Sequence, residues 1–110
     1  MHEESAGISP RGERALAAGM ILSNEPGFYK ENSHGIRIEN LVLVKEHDDE
    51  NYCFETITLA PKAMNLIDKE MLDEEELQWL NDYHARVYET LAPLLDDAHQ
   101  EWLKGVTGVF

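Results

Sequence analysis

The chain has 110 residues, 43% of them hydrophobic and 28% charged, which is the size and mix of one ordinary globular domain or a piece of a larger one. Its 22 acidic residues outnumber 9 Lys and Arg, for a net charge of -13. Phosphate backbones and anionic membrane surfaces need clustered basic side chains, so this balance excludes nucleic acid and a membrane as partners.

The acidity is uneven: residues 1–45 carry 6 acids and 5 bases, residues 46–110 carry 16 acids and 4 bases. It reads as a solvated surface that aids solubility. No apolar run approaches the ~20 residues of a membrane span, and no basic-then-apolar leader opens the chain. The single Cys53 allows no internal disulfide, which fits a reducing, cytoplasmic setting.

In chain order, residues 1–18 show no sustained period, and Gly7, Pro10 and Gly12 mark them as loop. Residues 20–24 are a short apolar strand that Pro26-Gly27 ends. Residues 26–35 are expected to be a turn-rich loop. Residues 36–45 alternate and are β-branched, the clearest strand of the chain. A polar connection, residues 46–51, leads to a third strand over 52–59. A link this short demands antiparallel pairing of the last two strands.

The period then changes. Asp73 followed by Glu76 has the spacing of a capping box, with acids in the first turn where the helix dipole favours them. Leu77, Leu80, His84, Val87, Leu91 and Leu94 form an amphipathic stripe. Pro93 should kink the helix or end it near Ala92, and Asp96 or Asp97 can cap a last helix through Trp102 to Gly105. Strands first and helices second give an α+β class, with a division expected between residues 1–60 and 61–110.

The chemistry concentrates in Ser23-Asn24-Glu25-Pro26-Gly27-Phe28-Tyr29 and Gly35-Ile36-Arg37-Ile38-Glu39-Asn40. On a strand over 36–45, Arg37, Glu39, Leu41 and Leu43 share one face, with Arg37 and Glu39 about 6–7 Å apart. Such a charged pair in an apolar strand should be buried or half-buried. Glu25 ends the earlier strand. If the two strands are neighbours, Glu25 and Glu39 can meet. Two carboxylates at about 4 Å repel by roughly 4 kcal/mol at an effective dielectric near 20, so the pair needs a proton, an arginine or a cation. Carboxylates with histidine suit manganese, cobalt, iron or zinc.

These segments resemble those of Xaa-Pro aminopeptidases, in the pita-bread metallopeptidase family with prolidase and methionine aminopeptidase. His2-Glu3 with Gly7-Ile8-Ser9 resembles the family's V-H-E-x-P-x-x-I-S stretch, and Ala18-Gly19-Met20-Ile21 its P-G-M-I. Thr58-Leu59-Ala60-Pro61, Trp79-Leu80-Asn81-Asp82-Tyr83-His84 and Glu101-Trp102-Leu103 resemble the C-terminal segment of the longer members. The resemblance implies the C-terminal part of a pita-bread fold, antiparallel strands followed by a helical segment.

It also implies two divalent metal ions, manganese first and zinc or cobalt as alternatives, held by two aspartates, a histidine and two glutamates. The glutamates map onto Glu25 and Glu39; the other three ligands have no counterpart here. Glu25 resembles the residue that also serves as general base and acid, His2 one that contacts substrate and helps move protons, and Arg37 one near the bridging glutamate and the substrate. The implied reaction removes an N-terminal residue that precedes proline from a peptide. The family's leading Val is Met1 here, so the chain is expected to begin inside the motif and to be inactive alone.

The C-terminal helices are expected to form a homodimer. Prolidase, or a non-catalytic pita-bread module that binds peptide or protein, are the alternatives. Elsewhere the bland readings prevail: His34 as a loop residue, His84 as a core histidine, His47 and His99 exposed, Cys53 packed on a strand face, and Trp79, Tyr83 and Trp102 in a core or interface.

Overall fold

A computed structural model describes residues 7, 8 and 14–110, and the chain falls into two units, Met1–Thr58 and Leu59–Phe110. His2 lies outside the described residues.

In the first unit, β1 (Ile21–Asn24), β4 (Asn40–Glu46) and β5 (Tyr52–Thr56) form an antiparallel sheet in the order β1-β4-β5. β2 (Gly27–Lys30) and β3 (His34–Arg37) form a second, two-stranded ladder. Alternation on β4 buries Asn40, Val42 and Val44 and leaves Leu41 and Leu43 half-buried. Leu22 faces Val42 across the β1–β4 ladder, and with Val44 they make a small core covered by Leu16 and Met20.

Three sequence expectations are corrected here. Residues 26–35 are a hairpin rather than a loop, closed by Asn32 in the left-handed region (φ 57°), a residue type that tolerates it. His34 therefore sits on β3. The expected strand over 36–45 is interrupted at Ile38-Glu39. The third strand stops at Thr56; the Leu41 amide beyond it donates instead to the Thr58 hydroxyl at 2.8 Å. The antiparallel pairing of β4 with β5 is as expected. Their connection is organised by Asp48, whose Oδ1 accepts the Glu50 and Asn51 amides at 2.9 Å each. The bonds from Glu50 and then from the Asn51 side chain hold its carboxyl below the usual range.

The second unit is helical. α1 (Glu74–Leu91) starts with the expected capping box: Asp73 accepts the Glu76 amide and Glu76 accepts the Asp73 amide. Pro93 falls in a 3-10 turn, Ala92–Leu94, that ends α1. α2 (Asp97–Val106) is capped by Asp96. Tyr83, Val87, Ala92 and Leu103 form the core, surrounded by Leu59, Tyr88, Leu91, Leu95 and Val106. Gln100 closes the corner between the helices by donating to the carbonyls of Ala92 and Leu95.

The apolar stripe reaches less far than its period suggests. Leu94 is 78% exposed, and Trp79 and Trp102 also face solvent, whereas Tyr83 and His84 are buried. Pro93 turns the chain before Leu94 can continue the helical face.

Candidate metal centre

The geometry around the two glutamates follows from one register. Ile21 faces Leu43 and Asn24 faces Asn40 in the first ladder; Gly27 faces Arg37 and Lys30 faces His34 in the second. The second continues the first in step. Carried through the interruption, the register sets Pro26 opposite Ile38 and Glu25 opposite Glu39. The Ile38 amide does donate to the Pro26 carbonyl at 3.2 Å. Proline has no N–H to return that bond, so the ladder breaks at this point without a slip.

Backbone bonds in an antiparallel pair recur at alternate positions. Val44 donates to Met20 and Ile38 to Pro26, both of them such positions. Glu25 and Glu39 therefore occupy the intervening type, where facing Cα atoms approach to about 4.5 Å and side chains leave from the same face. Both residues are half-buried. Glu25 has partners of its own, but its Oε2 oxygen is shut off from solvent and accepts no hydrogen bond.

Arg37 lies on the same face. Its Nε is 3.4 Å from Glu39 Oε2, with side chains 54% and 35% exposed. The strand interruption thus leaves this pair partly in water rather than in an apolar strand, and its net contribution to stability is at the low end, about 0–1 kcal/mol. Its electrostatic effect on the site is clearer, since it sets one positive charge beside two facing carboxylates.

Tyr29 is a member of this face that sequence reasoning missed. Its ring lies across Gly27 and Gly35. A Cβ on Gly27 would stand 2.7 Å from the Tyr29 Oη, and one on Gly35 would stand 2.8 Å from its Cδ1. Glu25, Gly27 and Tyr29 alternate along one strand, and Gly35, Arg37 and Glu39 along the other, so the phenol runs over the face that bears both glutamates. The legible signal was an aromatic residue set across from glycine in a paired E-x-G-x-Y and G-x-R-x-E pattern.

The remaining candidates lie apart. His34 alternates onto the opposite face of β3, where its Nδ1 meets the Ser33 hydroxyl at 2.9 Å and its ring centroid is 6.0 Å from that of Phe28. Cys53 is half-buried on β5. Among the described residues, no group of three or more His, Cys, Asp or Glu could hold a metal ion. The two glutamates have the hard-oxygen chemistry that divalent manganese or zinc accepts, but they make only part of a coordination sphere. Among the described residues, no helix is long and apolar enough to cross a membrane.

Residues 1–46 match metallopeptidase family M24, and residues 50–109 match the C-terminal region of peptidase M24. "Probable Xaa-Pro aminopeptidase P" of Coprinopsis cinerea is 44% identical over 119 aligned residues, covering 97% of this chain and 19% of the relative. The protein of the same name from Arthroderma gypseum is 42% identical, with the same coverage. The chain thus spans about a fifth of the length of these curated relatives. An X-prolyl aminopeptidase from Caenorhabditis elegans, described as a cytosolic enzyme with a di-nuclear active site, superposes with a TM-score of 0.74. It is 34% identical, and the match covers 92% of this chain and 18% of that one. The antiparallel strands and the helical segment after them correspond to the C-terminal part of that pita-bread fold.

Proposed function

Because this chain belongs to metallopeptidase family M24, we propose that it supplies the C-terminal portion of a dinuclear Xaa-Pro aminopeptidase, with Glu25 and Glu39 as two of its metal-binding side chains. The observation that carries this reading is the facing of the two glutamates at a break in an otherwise continuous register. Structural strands rarely set like charges directly opposite, because the pair is destabilising without a cation between them. Residues 1–60 belong to the catalytic half, and residues 61–110 to the appended helical segment.

Two divalent ions, manganese first and zinc or cobalt next, would supply Lewis-acid activation of water and of the scissile carbonyl when bound. The chain's own residues have narrower tasks. Glu25 and Glu39 present oxygen donors from one face, and Glu25 also serves as general base and acid. Arg37 holds Glu39 Oε2 and balances charge beside the peptide. His2 contacts the substrate and helps move its proton. Three further ligands come from the rest of the parent protein, so this chain alone does not turn over. The substrate is a peptide with proline second, the setting is cytoplasmic, and the exposed Trp79, Leu94 and Trp102 support self-association through the C-terminal helices.

The test is a Xaa-Pro peptide assay on the full-length parent, paired with metal analysis of the purified protein. Glu25→Gln is expected to reduce kcat by about 10²–10⁴-fold, the range of a general acid or base, and Glu39→Gln to lower the bound metal. Retained turnover and metal content in both variants would remove the assignment. Metal-dependent turnover by the 110-residue chain would overturn its inactivity.

A further inference from the structure

The second unit buries a titratable group that the metal chemistry leaves unused. His84, on α1, is completely shielded from solvent. Its Nε2 accepts the Lys62 backbone N–H at 2.9 Å. A nitrogen that accepts carries no proton, so the neutral ring carries its hydrogen on Nδ1. That Nδ1 is buried and has no hydrogen-bond partner.

The preceding residue makes a matching contact. The Tyr83 hydroxyl donates to the Ala60 carbonyl at 3.0 Å and accepts the Ala60 amide at 3.2 Å. Adjacent side chains of one helix thus hold alternate residues of a segment that belongs to no strand. The two holds differ in chemistry. The tyrosine hydroxyl both donates and accepts. The imidazole holds Lys62 only while Nε2 is bare.

We propose that His84 is a proton-operated clip: protonation at Nε2 removes the acceptor of the Lys62 N–H and releases the Lys62 backbone amide from the imidazole, while Tyr83 retains the Ala60 end and keeps its ring 5.3 Å from the Lys62 ammonium. A protonated ring would hold two donors in a site where neither has an acceptor. The charged group acting on it from the segment is the Lys62 ammonium, and Tyr83 is its titratable neighbour on the helix, with ring centroids 5.8 Å apart. Burial first, and the Lys62 charge second, push His84 below the ordinary histidine value. The folded group is thus the weaker base. The contact is intact above the unfolded pKa, and its contribution is lost as pH falls toward the folded one. The clip is shut at neutral pH and opens on acidification below the ordinary histidine value.

The test follows backbone amide protection and the His84 ring nitrogens by NMR on the whole chain, from about pH 8 to pH 5 and below. Lys62 protection should fall at least about tenfold in step with ring protonation, while Ala60 keeps its own. His84→Gln retains an oxygen acceptor and cannot titrate, so its Lys62 amide should stay protected throughout. If that variant folds poorly, coincidence of ring titration and Lys62 release in the natural chain remains the criterion. The proposal is overturned if Lys62 stays protected beside a protonated ring, if it is released before the ring protonates, or if Ala60 opens with it. The same loss in a folded His84→Gln variant overturns it as well.

Discussion

The strand unit and the helical unit use the same apolar vocabulary to opposite ends. The helical unit spends its sequence on closure. Both helices are capped, four core residues are under 9% exposed, and Tyr83 and His84 hold the segment before α1. Among the described residues, the strand unit's core is Leu22, Val42 and Val44. Phe28, Tyr29, Ile36, Ile38, Tyr52 and Phe54 are each about half exposed or more. The register carried across Pro26 brings two glutamates face to face.

The largest break in that comparison should come from the helical core. Leu103 is 2% exposed, and Leu103→Ala should destabilise that unit by about 2–5 kcal/mol, read by urea denaturation of the helical signal. The capping box comes next. Asp73→Ala should cost about 0.5–2 kcal/mol in the same measurement, and a loss below the error would mean that the Asp73–Glu76 reciprocity is ornamental.

A third perturbation sharpens the comparison inside the strand unit. Gly35→Ala puts a methyl group against the Tyr29 ring and should cost about 1 kcal/mol, as the ring leaves its rotamer. Tyr29→Ala should relieve that cost, and a double-mutant cycle with no coupling would show that ring and glycine are indifferent to each other. The smallest effect is expected at the charges themselves. Glu39→Gln in the isolated chain should leave stability within about 0.5 kcal/mol or raise it, since it removes a repulsion while weakening a half-exposed ion pair. A large loss there would mean that Glu39 is a structural residue.

Much of this was legible before any coordinates. The capping box at Asp73, the stop at Pro93, the start of the last helix at Asp96 or Asp97 and the antiparallel pairing of the final strands are local matters. Each depends on residues within a few positions of one another, and side-chain reach and backbone stereochemistry settle them. The motifs around Glu25 and Glu39 likewise carried the family resemblance in their spelling. His84 was readable as a core residue because it sits on the apolar stripe.

What local pattern could not decide was cooperation at a distance. Residues 26–35 are rich in turn formers, and their composition hides a hairpin whose strands are only four residues each. The interruption at Ile38-Glu39 arises because Pro26, twelve positions earlier, has no hydrogen to give its partner. Tyr29 belongs to the site only because Gly27 and Gly35 both leave room for its ring. The exposure of Trp79 and Trp102 was equally hidden, since hydrophobicity says what a side chain prefers and not whether the fold supplies a cover. The sequence determined helix limits, the antiparallel pairing of the last two strands and donor chemistry, which are properties of neighbours along the chain. Which carboxylates face each other, and which amide the His84 imidazole holds, were decided by tertiary pairing alone, because both depend on register between segments that the backbone must first bring together.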